Sequence, residues 1–123
     1  MQVTARQFST VNHTVTRWLL FAVLCSCLHT RADAPADAVW IDVRTPAEYA
    51  SGHLREAVLI PFDGIEPGVA RLQLPKDTPI YLYCAVGGRA ELAKQRLEAI
   101  DYKNITNVGS LENARRMLAD QPR

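Results

Sequence analysis

The stretch "PIYLYCAVGGRAELAKQRL", Pro79 to Leu97, joins a short apolar run to an amphipathic one through a cysteine and two glycines. The first part, Pro79 to Tyr83, has the length and β-branched and aromatic content of a buried strand. From Gly88 to Ile100 the pattern is helical, with Ala93, Leu97 and Ile100 at helical spacing and Glu91, Lys94, Gln95, Arg96 and Glu98 mostly on other faces. Cys84 therefore directly follows a strand and precedes a helix.

Similar runs flank this one. Ala38–Val43 (AVWIDV), Ala57–Ile60 (AVLI) and Ile105–Val108 (ITNV) read as strands. Helices are expected at Pro46–Ser51 behind Thr45 as N-cap, over Ile65–Leu72, and over Leu111–Ala119. Near-continuous apolar strands separated by helices predict an α/β fold, a central, mainly parallel sheet with helices on both faces. Ligands of such sheets collect at the carboxyl ends of the strands, where Cys84 lies.

The whole chain has 123 residues and a net charge of +1, enough for one modest core and without the basic excess that nucleic-acid binding calls for. Residues 1–36 differ from the rest. Met1–Arg17 carries Arg6 and Arg17 and no acid, Trp18–Leu28 (WLLFAVLCSCL) is apolar apart from Ser26, and small residues follow. That order is the order of a secretory signal peptide, and the apolar core is shorter than the ~20 residues a membrane span needs. Cleavage after Ala36 suits the sequence better than cleavage after Ala34, because Pro35 follows the latter. The expectation is a signal peptide at 1–36 and one folded domain at 37–123. Cys25 and Cys27 fall inside the apolar core, so the exported domain keeps only Cys84 and has no internal disulfide. "LCSC" (Leu24–Cys27) also reads as a poor lipoprotein box, with Cys27 lipidated; otherwise no membrane attachment is expected after cleavage. No metal, nucleotide or flavin motif is visible, and no cofactor is expected.

A lone thiol becomes a nucleophile only as a thiolate. Lowering its pKa by about two units requires roughly 2.7 kcal/mol of preference for the anion. A helix N-terminus supplies ~0.3–1 kcal/mol when exposed and up to ~2 when sheltered. Backbone N–H groups converging on the sulfur, at roughly 1.5–3 kcal/mol each, close the gap. Ala85, Val86, Gly87 and Gly88 can curl into such a cradle, since both glycines tolerate positive φ. Arg89 then stands ready to orient an oxyanion or to offset the charge of a terminal sulfur. The plainer alternative is a structural cysteine with Arg89 on a solvated helix face.

Two segments carry a family resemblance. Ile41–Phe62 (IDVRTPAEYASGHLREAVLIPF) contains an Asp-Val-Arg strand end, a Glu-Tyr-x-x-Gly-His segment and an Ile-Pro; Tyr81–Ser110 contains Cys-x-x-x-x-Arg. In order and spacing the chain resembles a single-domain rhodanese, a sulfurtransferase, of the short exported type. The resemblance implies a rhodanese-like fold and a periplasmic enzyme. It also implies a ping-pong reaction in which Cys84 takes the outer sulfur of thiosulfate as a persulfide and passes it to cyanide or a thiol. By the same resemblance Ala85, Val86, Gly87, Gly88 and Arg89 surround the persulfide. Glu56, Leu59 and Ser110 depart from the family pattern, which usually has glycine, often asparagine, and glycine there.

Asp42 and Arg44 match the family's strand end, either bracing the active loop or forming an ordinary ion pair. His53 falls on a mainly structural family position, and persulfide transfer needs no histidine base. Glu48 and Tyr49 fit packing of the first helix. A non-catalytic persulfide carrier is the alternative function. A cysteine phosphatase or arsenate reductase is a further one, although such loops place five residues between Cys and Arg, where this chain has the four from Ala85 to Gly88.

Overall fold

A strand that is apolar on both faces needs cover on both, and the chain provides it with helices. The computed structural model describes residues 37–121. Along the chain come β1 (Val39–Asp42), α1 (Pro46–Ala50), β2 (Ala57–Leu59), a 3-10 turn (Phe62–Gly64) and α2 (Ile65–Leu72). β3 (Ile80–Cys84), α3 (Gly88–Ala99), β4 (Ile105–Ser110) and α4 (Leu111–Ala119) complete it. The strands form one sheet in the order β2-β1-β3-β4, and all three pairings are parallel. The expected signal peptide and its cleavage site lie outside the described residues.

Alternation along each strand divides the core in two. Ile41 and Val43 of the first strand and its exit, with Ile80, Leu82 and Cys84 of β3, face Ile65 and Val69 of α2 and Ala90, Ala93 and Leu97 of α3. Trp40 and Tyr83 face the other way, with Leu54, Ala57 and Ala114 of α4. Both faces of the sheet are therefore covered, which is why its strands lack polar alternation.

The expected elements are all present, with informative shifts. Cys84 is the last residue of β3 rather than the first after it, and β4 continues to Ser110. Ile100 is not on the buried stripe of α3: the helix stops at Ala99, and Ile100 caps it 37% exposed before Asp101 turns left-handed at φ 71°. Ser110, a departure from the family pattern, is the N-cap of α4 and accepts a hydrogen bond from the Asn113 N–H at 3.2 Å.

From β1 the chain steps to β2 on one side and then crosses to β3 on the other. The reversal leaves a crevice at the carboxyl ends of β1 and β3, the position where open parallel sheets hold ligands. Asp42 ends β1 there and Cys84 ends β3. Because this geometry rests on the face shared with α2 and α3, Leu82→Ala is expected to lower stability by about 2–5 kcal/mol. Urea denaturation checks this, and an unchanged midpoint would contradict the packing described.

Candidate active site

β3 delivers Cys84 to the face covered by α2 and α3, where the residue is only 1% exposed. Burial pushes the thiol pKa up, because it disfavours the charged sulfur. Backbone N–H groups of Ala90, Gly87, Val86 and Arg89 act in the opposite direction and prevail, so the thiol sits below its ordinary value. The Gly87 N–H donates to Sγ at 2.9 Å. Arg89 and Ala90 lie in the first turn of α3, where backbone N–H groups have no partner within the helix and the helix dipole favours an anion.

The loop owes its shape to one glycine rather than two. Gly87 is the N-cap of α3 with φ 103°, and a Cβ there would stand 3.3 Å from the Gly109 Cα. Gly88 has no positive φ, and a Cβ on it would meet nothing within 4 Å. Of the two glycines that tolerate positive φ, only Gly87 uses it, and Gly88 is the ordinary first residue of a helix. Ala85 and Gly88 are exposed, and the Val86 side chain is 90% exposed while its N–H serves the sulfur.

Asn107 holds the loop from β4. Its Nδ2 donates to the Gly87 carbonyl at 3.0 Å and to Glu91 Oε2 at 3.1 Å, while its Oδ1 accepts from the Gly109 N–H at 3.0 Å. A bulge makes this possible: Leu82 pairs with Asn107 but Tyr83 pairs with Gly109, leaving Val108 as the extra residue. Neither Asn107 nor the Ala90 amide was among the expected site residues. Asn107 is far away in sequence, and any residue but proline could supply the amide.

Arg89 does not lie idle on the helix surface. Its Nη1 and Nη2 donate to Glu48 Oε2 and Oε1, both at 2.7 Å. Arg89, followed by the Thr45 N–H and hydroxyl, holds the Glu48 carboxyl well below the usual carboxylate range. Glu48 therefore does more than pack α1, the role its position suggested: it closes a capping box with Thr45 and reaches 41 residues along the chain to Arg89. A cleft of about 230 Å³ opens here, lined in part by Arg44, Thr45, Pro61, Phe62 and Arg89.

Asp42 and Arg44 form a buried pair, fully buried and 8% exposed respectively. Arg44 Nε donates to Asp42 Oδ1 at 2.9 Å, and Nη2 donates to Oδ2 at 2.6 Å and to the Gly52 carbonyl at 2.7 Å. The guanidinium also lies 5.6 Å from the centre of the Tyr83 ring, next in sequence to Cys84. Burial pushes the Tyr83 hydroxyl up to about 12, and that hydroxyl accepts the Leu54 N–H at 3.1 Å. His53 stacks on Tyr49 at 3.6 Å between ring centres, with Nδ1 2.9 Å from the Tyr49 carbonyl. Among the described residues, no group of three or more His, Cys, Asp or Glu side chains is arranged to hold a metal ion.

The buried sulfur ends a strand at the turn into a helix, within the stretch of chain that a family model matches. The model of the rhodanese-like domain matches residues 26–114, and the chain belongs to that family. It is 31% identical over 74 residues to thiosulfate sulfurtransferase PspE of Escherichia coli (strain K12), across 60% of this chain and 71% of that protein. A sulfurtransferase of Allochromatium vinosum is 32% identical over 72 residues, across 58% of this chain and 65% of that one. Among solved structures, a rhodanese with anions from E. coli superposes with a TM-score of 0.59 at 30% identity, covering 62% of this chain and 89% of that one.

The two glycines should respond differently to a methyl group. Gly87→Ala is expected to cost about 1–3 kcal/mol through its strained φ and the Gly109 contact, whereas Gly88→Ala stays within about 0.5 kcal/mol of the parent. Thermal unfolding of the two variants checks this, and equal losses would contradict the geometry.

Proposed function

We propose that the protein is a sulfurtransferase that moves the outer sulfur of thiosulfate to cyanide or a thiol acceptor through a persulfide on Cys84. The observation that carries the reading is the amide cradle, which favours the Cys84 thiolate despite near-complete burial. The similarity to a thiosulfate sulfurtransferase and to a second sulfurtransferase supports the substrate class.

In the first half-reaction the Cys84 thiolate attacks the outer sulfur of thiosulfate. A Sγ–S bond forms, the S–S bond of thiosulfate breaks, and its electron pair leaves with sulfite. The new terminal sulfur carries the negative charge, and the N–H groups that favoured the thiolate favour this anion for the same reason. In the second half-reaction cyanide or a thiolate attacks the terminal sulfur. The Sγ–S electron pair returns to Cys84, and thiocyanate or the acceptor's persulfide departs. Neither step requires a nearby base to remove a proton, in keeping with His53 turned onto Tyr49.

The roles follow from this chemistry. Cys84 is the nucleophile. The loop from Ala85 through Gly88, with Arg89, lines the sulfur's surroundings, and Asp42 with Arg44 supports the neighbouring strand end. Export to the periplasm belongs to the same proposal and is supported by the basic, apolar, small-residue order of residues 1–36.

Intact-mass measurement after incubation with thiosulfate tests the reading. The expected result is a gain of one sulfur atom by the parent protein, lost again as thiocyanate when cyanide is added, and no gain by Cys84→Ser. No added sulfur in the parent, or an equal gain in the serine variant, would overturn it. A stable gain that cyanide and thiols fail to discharge would mark a carrier instead.

A further inference from the structure

Both guanidinium groups that line the cleft beside the Cys84 loop already hold a carboxylate. Arg44 is engaged by Asp42 at 2.6 Å and Arg89 by Glu48 through two bonds of 2.7 Å. The second pair is the accessible one, with side chains 28% and 35% exposed against 9% and 0% for the first. Glu48 is also held from its own side, where the Thr45 N–H and hydroxyl each donate to Oε2 at 2.9 Å. The carboxylate thus faces Arg89 in a fixed, two-pronged geometry that offsets the guanidinium charge beside the sulfur.

We propose that Glu48 is a specificity-determining positioning residue, a charge latch that occupies Arg89 so that an anionic partner of Cys84 must compete with the carboxylate while a neutral one need not. This rests on the reading of Cys84 as the reacting group. A carboxylate bridging two elements 41 residues apart is not needed merely to cap a five-residue helix, for which the Thr45 contact suffices. The latch favours partners of low charge over dianions such as thiosulfate. The pair is part-buried rather than sealed, so a bound anion can reach Arg89 and compete with the carboxylate. Protonation does not open it, because Arg89 and Thr45 keep the Glu48 carboxyl ionised well below the usual carboxylate range.

Alkylation of Cys84 provides the test without requiring sulfur transfer. Rates with iodoacetate, an anion, and iodoacetamide, its neutral counterpart, are measured on the Cys84 peptide by mass spectrometry. Their ratio cancels changes in thiol ionisation common to both reagents. Glu48→Gln is expected to raise the iodoacetate-to-iodoacetamide ratio about two- to fivefold, the equivalent of one exposed ion pair. The gain should vanish in the Arg89→Gln background, because the effect acts through that guanidinium. Arg89→Lys, which keeps the charge but cannot bridge both oxygens, should raise the ratio with the α1 cap intact, and so serves if Glu48→Gln fails to fold. Ser51→Ala, which removes the Ser51 hydroxyl bond to the Glu48 carbonyl without changing charge, should leave the ratio unchanged.

An unchanged ratio in Glu48→Gln and Arg89→Lys, an equal gain with and without Arg89, or an equal gain in Ser51→Ala would overturn the latch. In steady state, the thiosulfate KM should fall in Glu48→Gln by a similar factor while kcat changes little. If thiosulfate fails to load Cys84 in any form of the protein, the sulfurtransferase reading falls, and the alkylation ratio still decides the latch.

Discussion

A sulfur at the end of a buried strand has lost its water, and losing water favours the neutral thiol. In this protein the loss is outweighed by backbone N–H groups from Val86, Gly87, Arg89 and Ala90 that converge on Cys84. The rest of the site follows from keeping those groups in place. The cradle requires that β3 end at Cys84, that the chain turn left-handed at Gly87, and that α3 begin at once. A longer connection would move the first turn of α3 away from the sulfur, and with it two of the four donors.

The turn is supported from both neighbouring strands. From β4, Asn107 fixes the Gly87 carbonyl, and the bulge at Val108 sets its reach. On the other side, at the exit of β1, the Asp42–Arg44 pair binds the Gly52 carbonyl and lies against the Tyr83 ring. Removing one member of such a buried pair leaves an uncompensated charge, which typically costs about 3–5 kcal/mol. The pair therefore constrains the residue before Cys84 without a hydrogen bond to the sulfur's own loop. Rigid support of this kind lets a four-residue loop present an anion with little reorganisation.

Much of this was legible in the sequence because it is local. The apolar runs, the helical spacing after Gly88, and a cysteine between them placed a thiol at a strand-to-helix turn in a parallel sheet. The family motifs in Ile41–Phe62 and Tyr81–Ser110 agreed with that reading, and the family match bears out the family and the fold. What was not legible is long-range or belongs to the backbone. Glu48 looked like a helix-packing acid until folding set it against Arg89, and Asn107 gave no sign of its contact with Gly87. Gly87 and Gly88 are alike in the sequence and unlike in the fold, since only the contact with Gly109 and the φ of 103° distinguish them. Ile100 kept helical spacing past the end of its helix because periodicity does not mark a C-cap.

Whether the amides outweigh burial can be read from the ionisation of the sulfur itself, followed by the ultraviolet absorbance of the thiolate as pH is raised. The folded domain should ionise below the ordinary thiol value. Its depressed pKa then stabilises the fold at pH above that value, a contribution lost as pH falls through the folded midpoint. A midpoint above the ordinary thiol value would mean that burial prevails and that the cradle does not hold an anion.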